Sequence, residues 1–260
     1  MTVFFHELRR NRLSLAVWAA AIAFMLGISV LIYPQMTAQM AEINEVFADM
    51  GSFTAAFGMD KVSFGEFGGY FSIECGNVLG LGGALFAAIL GISALAREER
   101  EHTAEFLYTH PLTRTRIVGE KLAAVLAQIV LLNLAVAAVA LLSMRVIGES
   151  AEAKPLLLLF LAYLLMQAEL AAITFGVSAF LRSGGMGLGI GAAIMLYFLN
   201  IIANITEKAA FLKLITPFGY TDGADIMSSG RLEIKYLAVG LLLAATGVAA
   251  AFLKYGKKDI

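Results

Sequence analysis

The chain has 260 residues, 60% of them hydrophobic and 15% charged, against roughly half and a quarter in soluble domains, so the apolar excess must face lipid. Nineteen basic residues nearly cancel twenty acidic ones, which removes any general electrostatic pull toward nucleic acid. One cysteine, Cys75, excludes an internal disulfide and a multi-cysteine metal site, and His6, His102 and His110 stand outside the apolar runs, so no catalytic, cofactor-binding or metal-ligating residue is assigned.

The N-terminus sets Phe4, Phe5 and Leu8 against His6, Glu7, Arg9 and Arg10. That pattern suits a short interfacial helix over residues 1–13, apolar side chains down and basic ones toward headgroups, with plain flanking of the first span as the alternative. The run from Leu13 to Tyr33 is too long for the h-region of a secretory signal, about 7 to 15 residues, and reads as an uncleaved first helix. A hydrocarbon core of about 30 Å needs about 20 apolar residues in a helix. Six stretches meet or approach that length: Ser14 to Tyr33, Asn77 to Ala96, Leu122 to Leu142, Pro155 to Leu181, Gly184 to Ile205 and Tyr236 to Lys254. Lipid offers no partner for backbone polar groups and an alternating barrel pattern is absent, so the expected fold is all-α, one domain of six transmembrane helices.

With both termini cytoplasmic, twelve Lys and Arg lie inside and seven outside, the latter spread over longer loops; basic density favours this orientation. The outer loop over 34–76 carries Met36, Met40, Ile43, Phe47 and Met50 at helical spacing, which predicts an amphipathic helix near the outer surface.

Between the second and third spans lies a cytoplasmic loop over 97–121. Within it Thr103 suits a helix N-cap, Glu105 the positive first turn and Pro111 the stop. Phe106, Leu107 and Tyr108 then form the apolar tip of a helix too short to persist alone, a surface suited to a partner's groove. Thr113 caps a new helix that enters the membrane near Lys121.

The series Glu99, Thr103, Glu105, Leu107, Pro111, Thr113, Arg114, Lys121 resembles the first cytoplasmic loop of the permease subunits of type-2 ATP-binding-cassette exporters. His102 departs from it, standing where a Gly often precedes the Thr. Further likeness runs through Ala56-Phe57-Gly58, Gly69-Tyr70-Phe71, Thr216-Pro217-Phe218-Gly219-Tyr220 and the closing Lys258-Asp259-Ile260. The resemblance implies that the loop is a coupling helix seated in an ATPase subunit, with Glu99, Thr103, Glu105, Phe106, Leu107, Tyr108, Pro111 and Arg114 at that contact. It also implies a multi-pass protein of the cell membrane, two permeases (homodimer or heterodimer) with two ATPase subunits that bind ATP and magnesium, and a path lined by spans two and five. In the outer loop over 206–235, the segment around Ala209 to Tyr220 would dip into the outer leaflet as a gate, with Pro217, Phe218 and Tyr220 in it.

No G-x-x-x-x-G-K-[ST] loop occurs, so this chain does not cradle ATP phosphates in the usual way and the motor belongs to another chain. Gly185/Gly189 and Gly187/Gly191 are small-xxx-small pairs for close helix packing, and the fifth span is a dimer-interface candidate. Glu169 inside the fourth span calls for compensation, costing about 2.5 to 3.5 kcal/mol on insertion scales; it contacts substrate in a watery path, as Asn200 would, or pairs with Gln167, Asn133 or Asn200. Two other function classes stay open: an intramembrane protease-like enzyme using Glu98, Glu99 and His102, and a proton-coupled secondary carrier using Glu169. Neither fits as well, because no histidine lies within a span and the halves of the chain show no internal repeat. A path of apolar and small side chains favours a hydrophobic or amphipathic compound, a lipid or a peptide as cargo.

Overall fold

The computed structural model describes residues 2–37, 51–59, 61–63, 65–97, 113–181 and 185–256. Six of its helical stretches are long and apolar enough to cross a membrane: Val3–Thr37, Phe67–Ser93, Arg114–Ile147, Ala153–Ser178, Met186–Ile205 and Ile234–Gly256. No strand occurs among the described residues, and the fold is all-α.

The first span lies in α1 (Thr2–Thr37), one unbroken helix of 36 residues. Residues 2–13 are therefore the first turns of the span and not a separate interfacial helix. The reason is on their inner face: Val3, Glu7 and Asn11 are buried, held by α5 instead of lying flat on a lipid surface. The short helix α2 (Ser52–Ala56) follows; the amphipathic segment from Met40 to Met50 lies outside the described residues.

The second span begins at Phe67, ten residues before the expected Asn77, and shortens the 34–76 loop accordingly. It runs as α3 (Phe67–Cys75), a π-helical turn (Gly76–Gly80) and α4 (Leu81–Ser93). Gly68, Gly69, Ser72 and Glu74 break the apolar run that marks a lipid-facing helix. Burial explains them: the window of this span that tests as membrane-crossing is 61% buried, against 17% for the fifth and sixth.

The remaining spans are α5 (Arg114–Ile147), α6 (Ala153–Ser178), α7 (Met186–Ile205) and α9 (Ile234–Gly256). Between the last two come 3₁₀ helices at Glu207–Leu214 and Pro217–Tyr220 and the short α8 (Gly223–Ser229). As expected, Thr113 caps α5, its hydroxyl accepting from Arg116 N at 3.3 Å. The same helix stops at Gly148, whose φ of 74° is the left-handed closure that favours glycine.

The bundle is organised around α6, which packs on α4 on one side and α9 on the other, while α1 lies along α5 and α7 along α4. The contact of α6 with α9 is close and parallel. A Cβ on Gly176 would stand 2.5 Å from the Gly247 carbonyl oxygen, and one on Gly247 would stand 2.7 Å from that of Ala172. Two glycines thus let the helix backbones touch, the way membrane helices gain dispersion energy where no hydrophobic drive separates helix from lipid. Gly247→Ala should therefore cost about 1–3 kcal/mol by overpacking, whereas Gly187→Ala, with nothing within 4 Å of the added carbon, should be neutral or slightly stabilising. Thermal unfolding in one detergent checks the pair; equal shifts would remove the close contact from the account.

Candidate functional site

Polar groups gather at three levels of the bundle. At the end holding the starts of α1 and α5 and the close of α9, here the basal end, Lys121 is 1% exposed. Its ammonium pairs with Glu7 of α1 at 3.1 Å and donates to the Ala94 carbonyl, just past α4, at 2.7 Å. Nearby, Arg97 donates to Asn11 Oδ1 at 2.8 Å. Glu120, next to Lys121, accepts from the free amides of Val3 and Phe4 at 2.9 and 3.2 Å and pairs with Arg116 at 2.9 Å. It serves as an N-cap for α1 supplied by another helix, a carboxylate at the positive helix end. Together these contacts fix the two feet, Arg97 and Thr113, between which residues 98–112 run.

Most of the predicted ATPase contact, Glu99, Thr103, Glu105, Phe106, Leu107, Tyr108 and Pro111, lies outside the described residues, as do Glu98 and His102. Arg114 is described, and its guanidinium donates to the Gly256 carbonyl at the end of α9 at 3.3 Å. Lys121 was legible as part of the loop motif, but its pairing with Glu7 was not, because 114 positions separate them.

At mid-bundle, Asn133 Nδ2 donates to Gln167 Oε1 at 2.6 Å, and Gln167 Nε2 reaches the Leu79 carbonyl in the π turn at 3.3 Å. A Cβ on Gly83 would collide with the Gln167 amide, so that glycine makes its seat. The two amides serve one another and the second span, and neither serves Glu169. The reason is angular: residues two apart on a helix do not share a face. Glu169, 2% exposed, instead turns toward α9, where its carboxylate fills the place a Cβ on Gly240 would take. The Tyr220 hydroxyl lies beside it, and burial and then the Glu169 carboxylate push that phenol up from its ordinary value. Their geometry stops short of a hydrogen bond, and both carboxylate oxygens and the phenol oxygen are without a partner.

At the opposite, distal end the chain between α7 and α9 turns back into the bundle. Thr216 donates its hydroxyl to the Leu196 carbonyl at 2.9 Å, and Leu196 stands nine residues before the end of α7 at Ile205, or about 13 Å below it at 1.5 Å per residue. Pro217, Phe218, Gly219 and Tyr220 are all buried, and the Phe218 ring meets Tyr197 of α7 at 5.5 Å. Phe218 and Tyr220, two of the residues expected in a gate, thereby reach α7 and α6, which places the Pro217–Tyr220 turn among spans four, five and six.

Beside this turn and next to the π turn lies a cavity of about 60 Å³ bordered by Asn77, Tyr163, Tyr197, Asn200, Asn204 and Asp222 among others. It joins the second span, the fifth span and the returning segment. Asn77 and Asn204 were not singled out by sequence; an asparagine in an apolar run was the available signal. Gly185 and Gly189 face away from this cavity, against Ile92 and Ala88 of the second span, while nothing lies within 4 Å of a Cβ on Gly187 or Gly191.

Beside the cavity, Asp222 caps α8, accepting from Ala224 N and Asp225 N. Lys61 meets Asp222 at 2.8 Å and Asp225 at 2.9 Å. This ties the segment before the second span to the segment before the sixth.

A protein-family model described as ABC-2 family transporter protein matches residues 1–260. No curated protein matches the chain.

The Lys61 tether carries a pH signature. Burial pulls the ammonium down, but the Asp222 charge and the two hydrogen bonds outweigh it and raise Lys61 from 10.5 to about 12. Asp222, which burial alone would raise, is held below its ordinary 3.8 by Lys61. Asp225 is raised by burial and by the neighbouring carboxylate, so its titration opposes the acid loss. Stabilisation from Lys61 is thus complete below pH 10.5 and lost as pH climbs toward 12; that from Asp222 is complete above 3.8 and lost below it. The gap in melting temperature between the wild type and Lys61→Met should close as pH climbs from 10.5 toward 12, and on acidification it should begin to close above 3.8, because burial raises Asp222 once Lys61 is gone. A gap that stays constant from pH 10.5 to 12 would contradict the assignment.

Proposed function

The chain belongs to the ABC-2 transporter family and is a membrane permease component of an ABC transporter; from that premise we propose that it forms the translocation path of an ATP-driven exporter for a hydrophobic or amphipathic compound, lipid or peptide. ATP hydrolysis is supplied by a partner ATPase, in two copies, against a homodimer or heterodimer of permeases in the cell membrane. Both termini, with the basal end, face the cytoplasm, as the twelve-to-seven distribution of Lys and Arg favours.

The observation that carries this reading is the rigid base under the 98–112 loop. A push on a loop moves a membrane bundle only if its feet are fixed to the helices that must move. Here Ala94 and Arg97 at one foot and Lys121 at the other are joined to each other and to α1 through buried polar contacts. In the proposed mechanism an ATPase groove takes Phe106, Leu107 and Tyr108, and the clamp passes its displacement to spans one, two and three. The Pro217–Tyr220 turn is the distal gate, and the cavity between spans two and five is part of the path. Gly187 and Gly191, open on the outer face of α7, support the fifth span as the dimer contact.

Two experiments test the reading. Co-purification of an ATP-hydrolysing subunit is expected with the wild-type chain and lost with Phe106→Asp or Leu107→Asp; retention of the subunit by both variants would overturn the coupling role of the loop. Lys121→Met strands Glu7 in a buried site and should cost about 3–5 kcal/mol, with most of it regained in Glu7→Met/Lys121→Met. If the double variant also restores ATPase binding but not substrate-stimulated hydrolysis, the clamp transmits force as well as holding the fold.

A further inference from the structure

The cavity of about 60 Å³ beside the Pro217–Tyr220 turn has a lopsided hydrogen-bonding inventory. The side-chain oxygens of Asn200 and Asn204, both lining residues, have no hydrogen-bond partner. The Asn204 amide is oriented, since its Nδ2 donates to the Ala56 carbonyl at 3.5 Å, and its oxygen is left over as an acceptor. Asn77 also offers its oxygen, accepting from the Tyr197 hydroxyl at a long 3.4 Å. None of the described residues bordering the cavity is a lysine, arginine or histidine, and the one charged side chain there, Asp222, is already engaged by Lys61 at 2.8 Å and by the first amides of α8.

Buried polar atoms in native proteins find partners, and these carbonyl-type oxygens ask for donors. The place is also one where the backbone departs from α geometry: Gly76 and Asn77 belong to the π turn, a device found frequently at functional sites. Phe218 and Ile201 complete the wall with apolar surface, and a volume of this size holds a few waters or one small polar group.

We propose that this cavity binds the hydrogen-bond-donating head, a primary ammonium, of an amphiphile, with Asn200 and Asn204 as the accepting side chains, whose oxygens offer an anionic head no donor. That the amphiphile is cargo rests on the permease reading above; the binding does not.

The test uses the full chain in phosphatidylcholine nanodiscs, with no ATPase present. Dodecylamine is expected to bind saturably, about tenfold more weakly to Asn200→Leu or Asn204→Leu, the cost of one lost hydrogen bond to a charged donor, and more tightly to Asn200→Asp. Dodecyl phosphate is expected to show no saturable binding. Equal binding of the two amphiphiles, or full dodecylamine binding by both leucine variants, would overturn the proposal, as would weaker binding by Asn200→Asp when its melting temperature matches the wild type. Replacing half the lipid with phosphatidylethanolamine distinguishes two sources of the same head: a weakened apparent affinity for dodecylamine assigns the site to the lipid, and an unchanged one to a free amine. Loss of dodecylamine binding would leave the ATPase co-purification result standing, and absence of an ATPase would leave this binding measurable, so the two readings fail separately.

Discussion

The structure depends on one buried ammonium. Lys121 is almost without solvent contact, and a cation in such a place is tolerated only when its partners replace water completely. Glu7 supplies the charge and the Ala94 carbonyl a further acceptor, and those groups come from three different parts of the chain. Neutralising the charge fixes the register of α1 against α5, and the carbonyl bond brings the end of the second span to the same point. The Glu120 cap on the first amides of α1 secures the same junction from the side.

Hydropathy was enough to find six spans, because a lipid-facing helix must be apolar over its length whatever it packs against. It failed where a helix is shielded by protein. The beginning of the second span contains Gly68, Gly69, Ser72 and Glu74, and Glu74 accepts from Ser29 of α1 at 3.1 Å; residues so placed need not be apolar, so the composition that usually reports membrane depth is silent. Residues 2–13 misled in the opposite direction. An amphipathic pattern reports two unlike faces but not which of them packs, and here the buried face is that of Val3, Glu7 and Asn11, while Phe5 stays exposed. Thr113 as a cap was legible from local chemistry. The partners of Asn133, Gln167 and Lys121 were not, since side-chain pairing between spans is set by helix rotation, which a single sequence does not specify.

Unmet polar atoms occur at every level of the bundle. Lys121 is paired at the basal end, yet the Gln128 side-chain oxygen near it has no partner. At mid-bundle Gln167 engages both its oxygen and its nitrogen, while the Asn133 oxygen is unmet. Toward the distal end Lys61 pairs with Asp222 and Asp225, while Glu169, Asn200, Asn204 and the Tyr220 hydroxyl are unmet.

Glu169 is the costliest of these unmet groups. An acidic side chain in a membrane helix is expensive, and such residues usually face a partner or a watery cavity. Here the carboxylate is pressed into the hollow of Gly240 on α9, one heptad above the Gly176/Gly247 contact that joins the same two helices, with Tyr220 of the returning segment alongside. The glycine contact brings α9 close enough to cover the carboxylate, and the cover is completed by a residue of the candidate gate. Displacing Tyr220 outward would remove the lid from Glu169 and admit water to it, so the position of the Pro217–Tyr220 turn and the solvation of this carboxylate are two aspects of one contact. That link ties α6, the central helix of the bundle, to the distal segment through a buried side-chain contact.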